Sequence, residues 1–126
     1  MTIYHITSKD AWLAAQAQNQ YRAPSLETQG FIHCSTAHQV TRVADALFAR
    51  RPGLVLLHID PARLTVPVVY ENLEGGTEAF PHVYGPIDLE AVVAVSDFTP
   101  DADGRFGHHL ARLNDWERGR RHTRQE

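Results

Sequence analysis

Apolar residues recur at a helical period in the stretch that follows Thr36. They occupy positions i, i+3, i+4, i+7 and i+8 of one stripe, namely Val40, Val43, Ala44, Leu47 and Phe48. This spacing is typical of an amphipathic α-helix, and Thr36-x-x-Gln39 has the spacing of a capping box. We therefore predict a helix over residues 37–49 that packs on the next strand. Leu47→Ala would then remove core contacts and cost about 2–5 kcal/mol.

Runs of β-branched and aromatic residues predict the strands. They lie at residues 2–7, 31–34, 54–59, 66–71 and 91–98, with a few extended residues between Pro81 and Pro86. A further helix is expected over residues 9–18, with Ser8 as its N-cap. Both helices precede residue 50 and strands dominate afterwards, an order typical of an α+β fold with mostly antiparallel strands.

Length and charge limit the class of protein. A chain of 126 residues, 43% of them hydrophobic, suits a single domain, which we expect over residues 1–98. Residues 99–126 form a polar extension, predicted to be disordered at least over 119–126. A net charge of −3 argues against binding nucleic acid by bulk electrostatics. No apolar run approaches the ~20 residues of a membrane-spanning helix, so no membrane partner is expected.

The single cysteine, Cys34, cannot form an internal disulfide. Together with an N-terminus that lacks a basic segment followed by an apolar one, this favours the cytoplasm. His33 and Cys34 are neighbours on a predicted strand, so their side chains point to opposite faces. That geometry argues against a catalytic Cys–His dyad. The sequence contains no His-x-x-x-His or Cys-x-x-Cys spacing, so we also expect no metal site.

Histidine is the compositional feature that suggests a site. Three of the eight histidines stand in polar stretches beside aromatic residues: Tyr4–Thr7, Gly30–Ser35 and Phe80–Pro86. Alternate residues of a strand share a face, so each stretch presents a pair of polar side chains on one side. With an arginine from the Arg-Ala-Pro-Ser turn, they are predicted to line one binding cleft, comprising His5, Thr7, Arg22, His33, Ser35, His82 and Tyr84. The alternative for each single histidine is a hydrogen-bonded structural role.

Five stretches together resemble a small bacterial family known as domain of unknown function 952. They are Tyr4–Thr7, Tyr21–Ser25, Gly30–Ser35, Leu56–Asp60 and Phe80–Pro86, which follow the family's order over about residues 3–98. The resemblance implies a fold related to the ADP-ribosyltransferases, α+β, with two small sheets and two N-terminal helices around an NAD-sized cleft. NAD is accordingly the candidate cofactor.

Tyr4-His5-Ile6-Thr7 is similar to the aromatic-His-Gly-Thr or Ser strand of those transferases, whose histidine binds the ribose of NAD. Phe31 or Ile32 occupies the place of the aromatic ring that stacks on nicotinamide there. The late strand that supplies their catalytic glutamate is comparable to Pro81–Tyr84, which contains none, and Glu71 and Glu78 are the nearest candidates.

Three hypotheses about function follow. RNA 2′-phosphotransferases of the same fold use basic residues, a role for which Arg22, His33 and His82 are available. The first hypothesis is thus an NAD- or ADP-ribose-type nucleotide-binding protein that acts as an ADP-ribosyl or 2′-phosphate transferase. The second is a binding module that uses the same cleft without turnover. The third is a structural or interaction protein.

Overall fold

Four α-helices and eight strands make up the part of the chain that the computed structural model describes, residues 1–73 and 75–125, with side chains up to residue 120. The helices are α1 (Lys9–Gln18), α2 (Pro24–Gln29), α3 (Val40–Leu47) and α4 (Leu110–Gln125). The strands are β1 (Ile3–Ser8), β2 (Gln20–Tyr21), β3 (Ile32–His33), β4 (Leu54–Ile59), β5 (Val68–Glu71), β6 (Phe80–Val83), β7 (Ile87–Asp88) and β8 (Val92–Asp97). The predicted α+β class is confirmed. None of the described helices is long and apolar enough to cross a membrane.

All described strand pairs are antiparallel, and they form three sheets where two were expected. The sheets have the orders β1-β4-β8, β2-β7 and β3-β6-β5. An isolated bridge connects the first sheet to the third, because Tyr4 and Ser35 exchange both backbone hydrogen bonds, at 2.7 and 2.8 Å. The two three-stranded sheets therefore meet where the chain leaves β3.

The β1-β4-β8 sheet separates two apolar clusters. Ile3, Leu57 and Ile59 belong to one cluster, whereas Tyr4 and Leu56 belong to the other. Successive side chains of β4 therefore enter opposite clusters, which is why its sequence is an almost continuous apolar run.

Helix α1 has the predicted bounds. Ser8 Oγ accepts a hydrogen bond from the Ala11 N–H at 3.0 Å, and Asn19 ends the helix in the left-handed conformation. Helix α2 was not predicted, because Pro24 was interpreted as a break. Proline at the first helical position needs no intrahelical N–H bond, and Gly30 at φ 85° closes the helix. Three helices thus precede residue 50, so the expectation of two was wrong.

Helix α3 is shorter than the predicted 37–49. Gln39 Oε1 accepts from the Thr36 N–H at 3.0 Å, and this turn precedes the helix. Val40 and Ala44 are buried against the cluster around Leu56, but Leu47 is 70% exposed. The helix ends at Leu47, whose side chain lies at the rim of a groove. The expectation that Leu47 belongs to the core was therefore wrong.

The predicted polar extension contains helix α4. Phe106 and Leu113 are fully buried in the cluster that holds Tyr4. The Trp116 indole N–H donates to Thr2 Oγ1 at 3.3 Å, and Glu117 Oε1 accepts from the Thr2 N–H at 3.1 Å. The predicted disorder over 119–126 falls largely on residues 121–126, whose side chains lie outside the described part of the chain.

Candidate functional site

One face of the β3-β6-β5 sheet carries the aromatic and ionisable side chains of the candidate site. His33 pairs with His82, and Phe80 pairs with Glu71. Directly opposite residues share a face, and so do residues two apart, so all four belong to one face. The other face, represented by Ile32 and Val83, lies in the core. The polar stretches at residues 30–35 and 80–86 are brought together by strand pairing.

Phe31 is the centre of the aromatic contacts on this face. Its ring stacks on His82 with centroids 4.1 Å apart, and it contacts His33 at 4.9 Å and Tyr84 at 5.4 Å. His33 and His82 contact each other edge to face at 5.3 Å. His33, His82 and Tyr84, all predicted site residues, are therefore neighbours.

Glu71 joins His82 and Tyr84 through one carboxylate oxygen. Its Oε1 lies 3.0 Å from His82 Nδ1 and also accepts from the Tyr84 hydroxyl. The Tyr84 bond, followed by the His82 bond, lowers the pKa of Glu71, and the same contact raises the pKa of Tyr84. His82 is buried, and its Nε2 has no hydrogen-bond partner among the described residues. The carboxylate thus stays ionised and orients the imidazole ring.

His5 and Thr7 share a face of β1, but they belong to a buried network. His5 Nδ1 lies 2.6 Å from the His33 carbonyl oxygen, and Nε2 lies 2.8 Å from the Tyr21 hydroxyl. Burial lowers the pKa of His5 to about 4, so the ring is neutral at pH 7. Its one N–H then donates to the carbonyl, and Nε2 accepts from Tyr21. The Tyr21 oxygen, 2.9 Å from Thr7 Oγ1, accepts in turn from Thr7.

A groove of about 620 Å³ lies beside His33, where the two three-stranded sheets meet. Ile6 of β1 and Phe80 of β6 line it, and Gln29 and His33 contribute polar atoms. His33 Nε2 lies 2.6 Å from Gln29 Oε1. Ser35 also lines the groove, so two of the predicted site residues reach it directly.

Two walls of the groove come from α3 and from the loop that joins β5 to β6. Helix α3 and the residue after it contribute Leu47 and Phe48, and the loop contributes Asn72, Thr77 and Glu78. The mixture of apolar and aromatic groups with a few polar ones is typical of small-molecule sites.

Glu78 is held firmly at the groove. Its Oε2 lies 2.8 Å from Arg42 Nη2, and Gln39 Nε2 donates to the same oxygen at 3.3 Å. Gln39 also donates to the Ala79 carbonyl at 2.8 Å. The Arg42 bond, above all, lowers the pKa of Glu78, which is therefore ionised at neutral pH. These contacts tie the loop to α3.

The remaining predicted residue, Arg22, pairs with Glu27 at 2.9 Å on an exposed part of the surface. Burial raises the pKa of the Cys34 thiol, which is consistent with its dismissal as a nucleophile. In the described part of the chain no group of three or more His, Cys, Asp or Glu residues is arranged to hold a metal. Sequence reasoning missed Gln29, because the helix that ends there was not predicted. It also missed Phe80 and named Glu71 only by proximity, because strand register brings these two residues to the face that carries His33 and His82.

A family model described as protein of unknown function, DUF952, matches residues 6–95. The chain belongs to this family. The DUF952 match includes His33, Glu71, Glu78 and His82, and it ends before α4.

Solved structures of protein CC0527 from the bacterium Caulobacter crescentus are similar to this DUF952 protein. Its X-ray structure is 35% identical, with a TM-score of 0.78, and the match covers 88% of this chain and 99% of that one. Its solution NMR structure is 33% identical, with a TM-score of 0.71 and coverages of 86% and 93%. No curated protein matches the chain.

Proposed function

We propose that this protein binds a nucleotide of the NAD or ADP-ribose type in the groove between α3 and the β5–β6 loop. The observation that carries the proposal is one groove of about 620 Å³ with aromatic side chains, Phe48 and Phe80, and hydrogen-bonding groups. Small-molecule and cofactor sites have volumes of roughly 300–1,000 Å³ and this type of lining.

The chemistry of a nucleoside matches these groups. A planar base gains contact area by stacking on an aromatic ring such as Phe80. Ribose hydroxyls both donate and accept, and the Gln29 amide, the Ser35 hydroxyl and the Asn72 amide offer both kinds of atom. The ligand would therefore have its base against the aromatic wall and its sugar near His33.

The position of the groove supports the proposed relation to ADP-ribosyltransferases. That relation implied a cleft between two small sheets, and Ile6 comes from one three-stranded sheet while His33 and Phe80 come from the other. We place the protein in the cytoplasm, consistent with its one buried and unpaired thiol.

Turnover is a second candidate, favoured by the ionised Glu78 carboxylate in the groove wall. In ADP-ribosyl transfer, the bond between ribose C1′ and the nicotinamide nitrogen breaks, and its electron pair neutralises the ring. An acceptor oxygen or nitrogen bonds to C1′ and loses its proton to a base. A carboxylate stabilises the positive charge that develops on the ribose. Without turnover, the same groove is a binding module.

Calorimetric titration with NAD+ and with ADP-ribose tests the binding proposal. Leu47→Trp places bulk at the groove rim on an exposed residue, and we expect at least about tenfold weaker binding. Leu13→Trp, at a 55% exposed position on α1, is the matched control and should bind within about twofold of the wild type. Equal binding by both variants would exclude the groove, and no heat at millimolar ligand would exclude the function. Chromatographic detection of free nicotinamide separates an enzyme from a binding module.

A further inference from the structure

The groove has an uneven distribution of charge. Glu78 is the one Asp, Glu, Lys or Arg side chain among its described lining residues. Two arginines stand close by without lining it: Arg42 bonds Glu78, and the Arg51 guanidinium lies 5.0 Å over the Phe48 ring. The groove therefore presents a carboxylate to a ligand and keeps the neighbouring cations outside.

The Glu78 carboxylate has a defined position. Arg42 Nη1 and Nη2 donate to its two oxygens at 3.3 and 2.8 Å, and Gln39 supports one of them. Its side chain is nevertheless 39% exposed, so a ligand in the groove can approach it. The Glu78 carboxylate, the negative end of this ion pair, is part of the groove wall, whereas the Arg42 guanidinium lies outside the lining.

A flat organic cation is the ligand chemistry that this wall favours. It gains Coulomb energy from the carboxylate and a cation–π contact from an aromatic face. One face of Phe48 already has a cation, Arg51, so Phe80 supplies the free aromatic surface. A phosphate at the same place would be repelled by Glu78 and would find no lining cation among the described residues.

We propose that Glu78 selects the positively charged, oxidised nicotinamide ring of NAD+, which enters the groove while the diphosphate remains outside. This inference rests on the proposed function and adds the orientation and redox state of the ligand to it. NADH has a neutral dihydronicotinamide ring and loses both attractions. Because Glu78 is partly exposed and paired with Arg42, the expected preference for NAD+ over NADH is modest, about three- to tenfold.

The test compares ligands that differ in charge but little in shape. Titrations of NAD+ against NADH, and of the 1-methylnicotinamide cation against neutral nicotinamide, should both favour the cation in the wild type. In Glu78→Gln the preference should fall to less than about twofold, with NADH affinity retained. Glu27→Gln removes a similar surface carboxylate from its arginine, Arg22, away from the groove, and should keep the wild-type preference.

Arg42→Gln is the second variant, because Glu78→Gln also weakens the tie between the loop and α3. It breaks the same ion pair but leaves the carboxylate in place, so it should increase the preference for the cation. A preference that persists in Glu78→Gln, or is absent in the wild type, would overturn the inference. Equal NAD+ and NADH affinities that both fall in Leu47→Trp would reject the inference while the proposed function stands. Absence of binding by either dinucleotide would reject both.

Discussion

Acidification is expected to destabilise this protein through two buried histidines, His5 and His58. Burial lowers the pKa of each to about 4, from an ordinary value of 6.5. His58 lies between the Tyr4 and Trp116 rings, and its Nε2 is 2.8 Å from Ser96 Oγ. Its Nδ1 has no hydrogen-bond partner among the described residues. A proton on either ring would place a charge in the interior of the protein, away from water.

The sign and size follow from proton linkage. Below pH 6.5 the unfolded chain takes up a proton at each histidine, whereas the folded protein does so only near pH 4. The folded-state pKa is lowered, so the stabilisation is complete above pH 6.5 and is lost as the pH falls. A group with a shifted pKa changes the free energy of unfolding by about 1.4 kcal/mol per pH unit. Each histidine should therefore lower the free energy of unfolding by roughly 2 kcal/mol between pH 7.5 and pH 5. Both together cost roughly 4 kcal/mol, a large part of a typical domain's stability.

Urea unfolding at pH 7.5, 6 and 5 measures this loss. His58→Phe keeps an aromatic ring beside Trp116 but cannot take up a proton, so its loss of unfolding free energy over this range should be smaller than that of the wild type by roughly 2 kcal/mol. His38→Gln, at an exposed position, is the control and should follow the wild type. A wild-type loss below about 1 kcal/mol, or an unchanged pH dependence in His58→Phe, would refute the reasoning.

Three further changes test the packing and the candidate site. Leu56→Ala, in the fully buried centre of β4, should lower the free energy of unfolding by about 2–5 kcal/mol. Leu47→Ala, at a 70% exposed position, should lower it by less than about 0.5 kcal/mol. Equal losses in urea unfolding would contradict the assigned core. Tyr84→Phe removes the hydroxyl whose hydrogen bond does most to lower the pKa of Glu71, so NMR titration should show a higher pKa for Glu71 in the variant. An unchanged pKa would mean that this hydrogen bond is absent in solution. Gly104→Ala should lower the free energy of unfolding by more than about 1 kcal/mol, because Gly104 has φ +83° and a Cβ there would overlap the Arg50 side chain. Thermal unfolding of the variant at the wild-type temperature would contradict this contact.

Local signals in the sequence were sufficient for some elements. The bounds of α1 were predicted because Ser8 caps its start and the apolar residues follow within one turn. Strand β4 was predicted because its apolar run is bounded by Gly53 and by the Asp60–Pro61 turn. Each signal lies within a few residues of the element that it specifies, so no knowledge of the rest of the chain was needed.

Helix α4 and the exposure of Leu47 depended on distant contacts. After residue 99 the large apolar residues Phe106, Leu110, Leu113 and Trp116 are outnumbered by Asp, Gly, Arg and His, so the segment was interpreted as a polar extension and no packed helix was predicted. Leu113 is nevertheless fully buried, and Glu117 accepts hydrogen bonds from the Thr2 N–H and the Tyr4 hydroxyl. Partners more than 110 residues away in the sequence leave no trace in local periodicity.

The candidate site shows the same division. Alternation along a strand was enough to put polar side chains of each stretch on one face, as His5 and Thr7 illustrate, because the period of two is a property of the backbone. Strand register, which depends on the packing of the whole domain, decided that His33 lies opposite His82 and that Glu71 reaches the His82 ring. Burial under the rest of the fold likewise decided that the His5 ring is enclosed while His33 borders the groove. The sequence by itself determined which chemistry each strand carries, and the tertiary structure decided which of these groups meet, because pairing and burial are cooperative properties of the folded chain.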